Sequence, residues 1–183
     1  MKEICKVKDF CTVITGQSPQ SSSYNGKGEG IEFHQGKKAF GDFFIEHSNV
    51  WTTEITKIAE PNDILMSVRA PVGSLNITDR RICIGRGLAA IRCNAGIEPL
   101  YVWYALRNIE SKIVGNNGAV FNSINKKQIE DIYLPYYPLA EQRTIVATLD
   151  ALKSKVDQLQ ANCDKITNEC AALKQAILRQ VFE

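Results

Sequence analysis

Metal-binding and covalent chemistry have little to work with in this chain. Its 183 residues include only two histidines, His34 and His47. None of the six cysteines stands in a Cys-x-x-Cys pair, so zinc-ribbon spacing is absent. Cys5, Cys11, Cys83, Cys93, Cys163 and Cys170 read as small hydrophobes in a reducing cytosol, not as a disulfide framework. No Gly-x-x-x-x-Gly-Lys-Ser/Thr loop cradles phosphate, and no Gly-x-Gly-x-x-Gly follows a strand. With no coherent acid–base set either, neither a cofactor nor catalysis by the chain alone is expected. The longest apolar run, Leu100 to Leu106, has seven residues, against roughly 20 for a membrane span. Met1–Asp9 lacks the apolar core of a secretory signal, so a cytoplasmic location is expected. Lys and Arg exceed Asp and Glu by 22 − 20 = 2, so bulk charge does not announce a nucleic-acid binder. What is present, 44% apolar and 23% charged residues, suits a chain that buries a real core.

The sequence changes character at Pro135-Tyr-Tyr-Pro138. All 12 glycines precede it, and no proline follows Pro138. Two parts are expected, a globular mixed α/β domain over 1–138 and one long helix over 139–183, an α+β chain in all. Ile145, Leu149, Leu152, Val156, Leu159, Cys163, Ile166, Cys170, Leu173 and Ile177 alternate spacings of four and three. That is the seam of a coiled coil, and these ten residues are the expected dimerisation surface. In the first part, β-type segments fall at Cys11–Thr15, Ile64–Arg69, Ile82–Ile84 and Leu88–Arg92. Asn25-Gly-Lys-Gly-Glu-Gly30 reads as a loop. Glu98–Val114 reads as a helix with Pro99 in its first turn and Gly115 ending it. Ser123 or Asn125 caps a short helix running to Glu130, and Ile132–Leu134 returns as a strand.

Six stretches together resemble the specificity subunits of type I restriction–modification systems. They are Thr15-Gly-Gln-Ser-Pro19 with Tyr24-Asn-Gly-Lys-Gly28; Phe33-His-Gln-Gly36 with Phe40-Gly41; Asp63-Ile-Leu-Met-Ser-Val-Arg-Ala-Pro-Val-Gly73 running into Asn76-Ile77; Cys83-Ile-Gly-Arg-Gly-Leu-Ala-Ala90; Gly118-Ala-Val-Phe121 with Ser123-Ile-Asn-Lys126; and Leu134-Pro135 with Pro138-Leu-Ala-Glu-Gln142, Ile145-Val146 and Leu149-Asp150. The resemblance covers nearly the whole chain. It implies a target-recognition domain that reads half of a bipartite double-stranded DNA site. It further implies a spacer helix that docks methyltransferase subunits, with a restriction subunit joining the assembled complex. Such subunits usually hold two recognition domains and two spacer helices, whereas this chain has one of each. It resembles a half-length form, expected to homodimerise and read a symmetric, split sequence.

On that reading, DNA contacts fall to local clusters. Lys27, Lys37 with Lys38, Arg80 with Arg81, and Lys126 with Lys127 are candidates to neutralise phosphates, which positions without specifying. Arg69, Arg86, Gln35, Asn116 and Asn117 carry the forked or amide groups that read base edges. Tyr24 is a candidate to stack or touch a sugar. His34 and His47 are expected to be hydrogen-bonded structural residues. The rival readings are an orphan regulatory recognition subunit, a coiled-coil adaptor that binds protein, and, last, a nuclease using Glu110 and Lys112.

Overall fold

A computed structural model describes residues 3–113 and 123–182. In chain order the elements are β1 (Glu3–Lys6), α1 (Val7–Phe10), β2 (Cys11–Thr15), β3 (Tyr24–Asn25), β4 (Ile31–His34), β5 (Trp51–Thr52), β6 (Ile58–Ala59), β7 (Ile64–Ser67), β8 (Leu75–Ile77), β9 (Ile82–Ile84), β10 (Leu88–Cys93), α2 (Pro99–Ile113), α3 (Lys126–Glu130), β11 (Tyr133–Tyr136) and α4 (Leu139–Phe182). This is the mixed α+β architecture with a long C-terminal helix that the sequence implies. Among the described residues no helix is long and apolar enough to cross a membrane.

Continuous apolar runs make the central strands. Ile64, Leu65 and Met66 are all fully buried, as are Leu88, Ala89, Ala90 and Ile91. A strand covered on both faces needs such a run instead of alternation. These strands form an antiparallel sheet in the order β2-β10-β7-β8. A second sheet runs β3-β5-β4-β9-β6, with β4 and β9 parallel and the other pairs antiparallel. Ile45, Leu65, Ile82, Ile84 and Leu88 pack together in one hydrophobic cluster.

Helix α2 buries Tyr101, Val102, Trp103 and Leu106, and the Tyr101 hydroxyl donates to the Pro135 carbonyl at 2.6 Å. Asn125 caps α3 reciprocally with Gln128, the side chain of each accepting from the backbone of the other. This is the local exchange that makes Asn strong at that position. Val114 and Gly115, where the end of α2 is expected, lie outside the described residues, as does Gly118–Phe121. The last strand of the first part is displaced from Ile132–Leu134 to Tyr133–Tyr136, and it runs through Pro135. Among the described residues it pairs only with β1, and an edge strand tolerates a proline. Strand β7 ends at Ser67, two residues short of the expected Arg69.

The chain divides into two compact units, Met1–Gln142 and Arg143–Glu183. The opening turn of α4 goes with the first unit because Gln142 is fully buried there. Its Oε1 accepts from the Glu98 amide at 2.8 Å and its Nε2 donates to the Tyr137 carbonyl at 2.7 Å. In the second unit, α4 continues as a single helix to Phe182.

Candidate nucleic-acid interface

The loop after β2 runs against the turn joining β9 and β10. The Gly16 amide donates to the Leu88 carbonyl, and the Gln17 amide to the Ile84 carbonyl, both at 2.9 Å. Glycine is required here. A Cβ on Gly16 would collide with the Gly85 carbonyl oxygen. One on Gly85 would lie 2.6 Å from the Gln35 Oε1 and 2.9 Å from the Phe33 ring. Those approaches hold Ser18, Gln35 and Arg86 together. The Ser18 hydroxyl donates to the Gln35 Oε1 at 2.8 Å, and the Arg86 amide donates to the Ser18 hydroxyl at 3.3 Å.

These residues edge an open cleft of about 820 Å³, whose lining includes Tyr24, Phe33, Gln35, Lys38, Asn49 and Arg86. Gln35, Lys38 and Arg86 are exposed. With its amide oxygen held by Ser18, Gln35 makes no bond through its Nε2 donors among the described residues. Tyr24 stacks on Phe33 at 4.9 Å and donates its hydroxyl to the Pro19 carbonyl, which fixes its ring in the wall. An aromatic wall, an amide and a forked cation in one cleft can stack on a ring, bond a base edge and meet a phosphate.

One side of the cleft is formed by a charge cluster around the buried Glu32, to which the lining residues His34, His47 and Ser48 belong. Glu32, only 4% exposed, takes both Arg80 Nε at 2.7 Å and Nη2 at 2.8 Å. It also accepts from the Ser48 amide at 2.6 Å and lies 2.9 Å from the His34 ring and 3.3 Å from the His47 ring. Burial alone would push the Glu32 carboxyl up. Arg80, then the Ser48 amide and His34, overturn that and hold it at about 2. Burial pushes the His34 ring below its ordinary value, against the opposing pull of Glu32.

Arg80 therefore requires a correction. Its remaining donors go to Asp79 and to the Ile45 and Glu46 carbonyls, so its guanidinium is consumed inside the protein and has nothing left for a phosphate. Its neighbour Arg81 is exposed and pairs with Glu60 at 3.4 Å.

The cleft brings together Tyr24, Gln35, Lys38 and Arg86 and leaves the other described candidates outside its lining. Lys37 donates to the Ser74 hydroxyl at 3.0 Å. Lys27 is exposed in a loop that Asn25 organises, its side chain accepting from the Lys27 and Glu29 amides. Arg69 is exposed beside Ser123, with which it forms a bridge. Lys126 pairs with Glu130 at 3.5 Å, and Lys127 is exposed. Asn116 and Asn117 lie outside the described residues. Reading the residues one by one misses Ser18, which bonds Gln35, and Asn49, which lines the cleft. Ser18 has a signal, since it sits in the Thr15–Pro19 stretch; Asn49 has none. Among the described residues no cluster of His, Cys, Asp and Glu could hold a metal ion.

The model of the type I restriction modification DNA specificity domain matches residues 2–168, and the chain belongs to that family. It is 44% identical over 150 residues to a Methanocaldococcus jannaschii protein named for the specificity subunit of the type I restriction enzyme MjaX, covering 81% of this chain and 35% of that protein. A solved structure described as the structural basis of complex assembly and conformational transition of the type I R-M system matches with a TM-score of 0.89 at 40% identity, over 100% of this chain and 46% of the other. The HsdS subunit of Thermoanaerobacter tengcongensis matches with a TM-score of 0.78 at 40% identity, over 87% of this chain and 39% of that one. The chain thus spans less than half the length of each of these relatives.

Proposed function

We propose that this chain is a sequence-reading subunit of a type I restriction–modification system. Residues 1–138 take one half of a bipartite double-stranded DNA site. Residues 139–183 form the spacer helix, which docks methyltransferase subunits and pairs with a second copy of the chain. The restriction subunit joins through the assembled complex. The chain itself is non-catalytic and works in the cytoplasm. One observation carries the DNA reading: Gln35 and Arg86 edge the same open cleft, beside exposed Lys38, in a chain of the specificity-domain family. Arg reads guanine bidentately and Gln reads adenine, while Lys contributes counterion release without sequence information.

Selection of bound DNA from a random pool tests this. Arg86→Ala is expected to relax preference at one position, costing roughly 1–3 kcal/mol if the contact is bidentate. Lys38→Ala is expected to weaken all sequences alike and flatten the log-affinity versus log-salt slope by about 1. An unchanged preference and affinity in Arg86→Ala would remove the cleft from the interface. The intact chain is expected to retain methyltransferase subunits in a pull-down. Alone, it is expected to transfer no methyl group from adenosylmethionine and to nick no DNA with magnesium.

A further inference from the structure

Cys11 and Cys93 stand 82 positions apart in sequence and belong to no cysteine motif. Pairing of β2 with β10 sets them directly opposite each other. The Asn94 amide donates to the Phe10 carbonyl at one end of this ladder, and the Gly16 amide to the Leu88 carbonyl at the other. Antiparallel pairs alternate between hydrogen-bonded and non-hydrogen-bonded, so these two bonds place Cys11 and Cys93 at a non-hydrogen-bonded site. There the Cα atoms come to about 4.5 Å and the side chains are closest. That separation falls inside the range of roughly 4.4–6.8 Å that a disulfide spans. The two sulfurs are already in contact at 3.6 Å. Cys11 is buried, while Cys93 is half-buried at the end of β10, so a reagent meets Cys93 first.

The geometry points to a redox site: Cys11 and Cys93 form a dithiol that closes to a disulfide by exchange with a low-molecular-weight disulfide. The Cys93 thiolate attacks one sulfur of the small disulfide. That S–S bond breaks, one small thiol leaves with a proton, and Cys93 carries the other half. Cys11 then gives up its proton and attacks the Cys93 sulfur, and the second small thiol departs. Two protein thiols have been oxidised and one small disulfide has been reduced to two thiols. The order follows from the environment. The hydrogen bond to Cys93, and then burial, push the Cys11 thiol up, so it does not begin the exchange. Once Cys93 is capped, that hydrogen bond to its thiol is gone.

The test treats the whole chain with oxidised glutathione, blocks remaining thiols with N-ethylmaleimide and maps peptides without reduction. The expected result is a Cys11–Cys93 linked peptide, a mass loss of two hydrogens at that pair, and a rise of several degrees in the thermal midpoint that dithiothreitol reverses. Cys11→Ser and Cys93→Ser each abolish the link and the rise. Cys163 and Cys170 are exposed on α4 and report that the reagent acted. Two outcomes would overturn the site. In one, Cys11 and Cys93 are recovered separately blocked while Cys163 and Cys170 are modified. In the other, a glutathione adduct persists on Cys93.

Discussion

Arg80→Ala is expected to cost about 3–5 kcal/mol of folding stability, the range for breaking a buried ion pair by removing one partner. The loss comes from what stays behind more than from what is removed. Glu32 is 4% exposed and would keep a charge that only the Ser48 amide and two imidazoles address. Urea unfolding near pH 7 measures the cost, with Arg86→Ala as the control. That variant removes the same charge from an exposed site and is expected to stay within about 0.5 kcal/mol of the parent. The sign of the pH dependence follows from the carboxyl. Its folded value is lowered from 4.5 to about 2. The stability it contributes is therefore complete above 4.5 and is lost as pH falls from there through about 2. The gap between the parent and Arg80→Ala should narrow over that window. His34 acts in the same direction. Its folded value lies below its ordinary 6.5, so below that pH the unfolded chain takes up a proton that the folded one resists. Equal stability of parent and Arg80→Ala near pH 7 would refute the account of the cluster.

If the proposed homodimer forms through the seam, replacing Leu159 and Ile166 together with Lys is expected to leave the chain monomeric. Both are seam residues on a helix 44 residues long, and they are 64% and 59% exposed in the single chain. Burying such side chains contributes roughly 1.5–3 kcal/mol each, and the symmetric pair loses four of them. Sedimentation of the full chain at micromolar concentration reads the change, and a monomeric parent would remove the second copy as partner. Cysteines report the direction of pairing. We propose an antiparallel pair, the arrangement the resembled family implies for its two spacer helices. A parallel pair would bring both copies of residues 1–138 to the same end of the helix pair. The seam's midpoint is residue 161. In a centred antiparallel pair the two copies of Cys163 are then about 6 Å apart along the axis, and those of Cys170 about 27 Å, at ~1.5 Å per residue. Mild oxidation of variants keeping one helix cysteine should therefore cross-link through Cys163 and not Cys170. Efficient cross-linking through both would mean a parallel, in-register pair.

What the sequence made legible were the segments in which one local rule dominates. Cys11–Thr15 and Ile82–Ile84 are strands with the expected bounds, and Leu88–Arg92 needs one more residue. The long helix follows from a seam with no glycine or proline to interrupt it. Strands of two residues, such as Trp51–Thr52 and Ile58–Ala59, carry no periodicity and exist only through their neighbours. The cleft was half legible for the same reason. Arg86 is marked by its flanking glycines, but its nearness to Gln35 depends on backbone approaches across three separate segments. Arg80 and Arg81 are indistinguishable as letters. Only the fold decides that Arg80 faces Glu32, 48 positions away, and Arg81 the surface.

Strand β1 pairs with β11 over four residues, Glu3 opposite Tyr136 through Lys6 opposite Tyr133. The first unit is in effect a cassette with both pins on one side. The described residues between Val7 and Ile132 hang from that two-stranded clasp, and α4 begins three residues after it. Surface loops between the pins can be recut, or the whole insert exchanged for another, without moving the point from which the helix departs. What lies between the two strands is thereby separated from how its two ends are held.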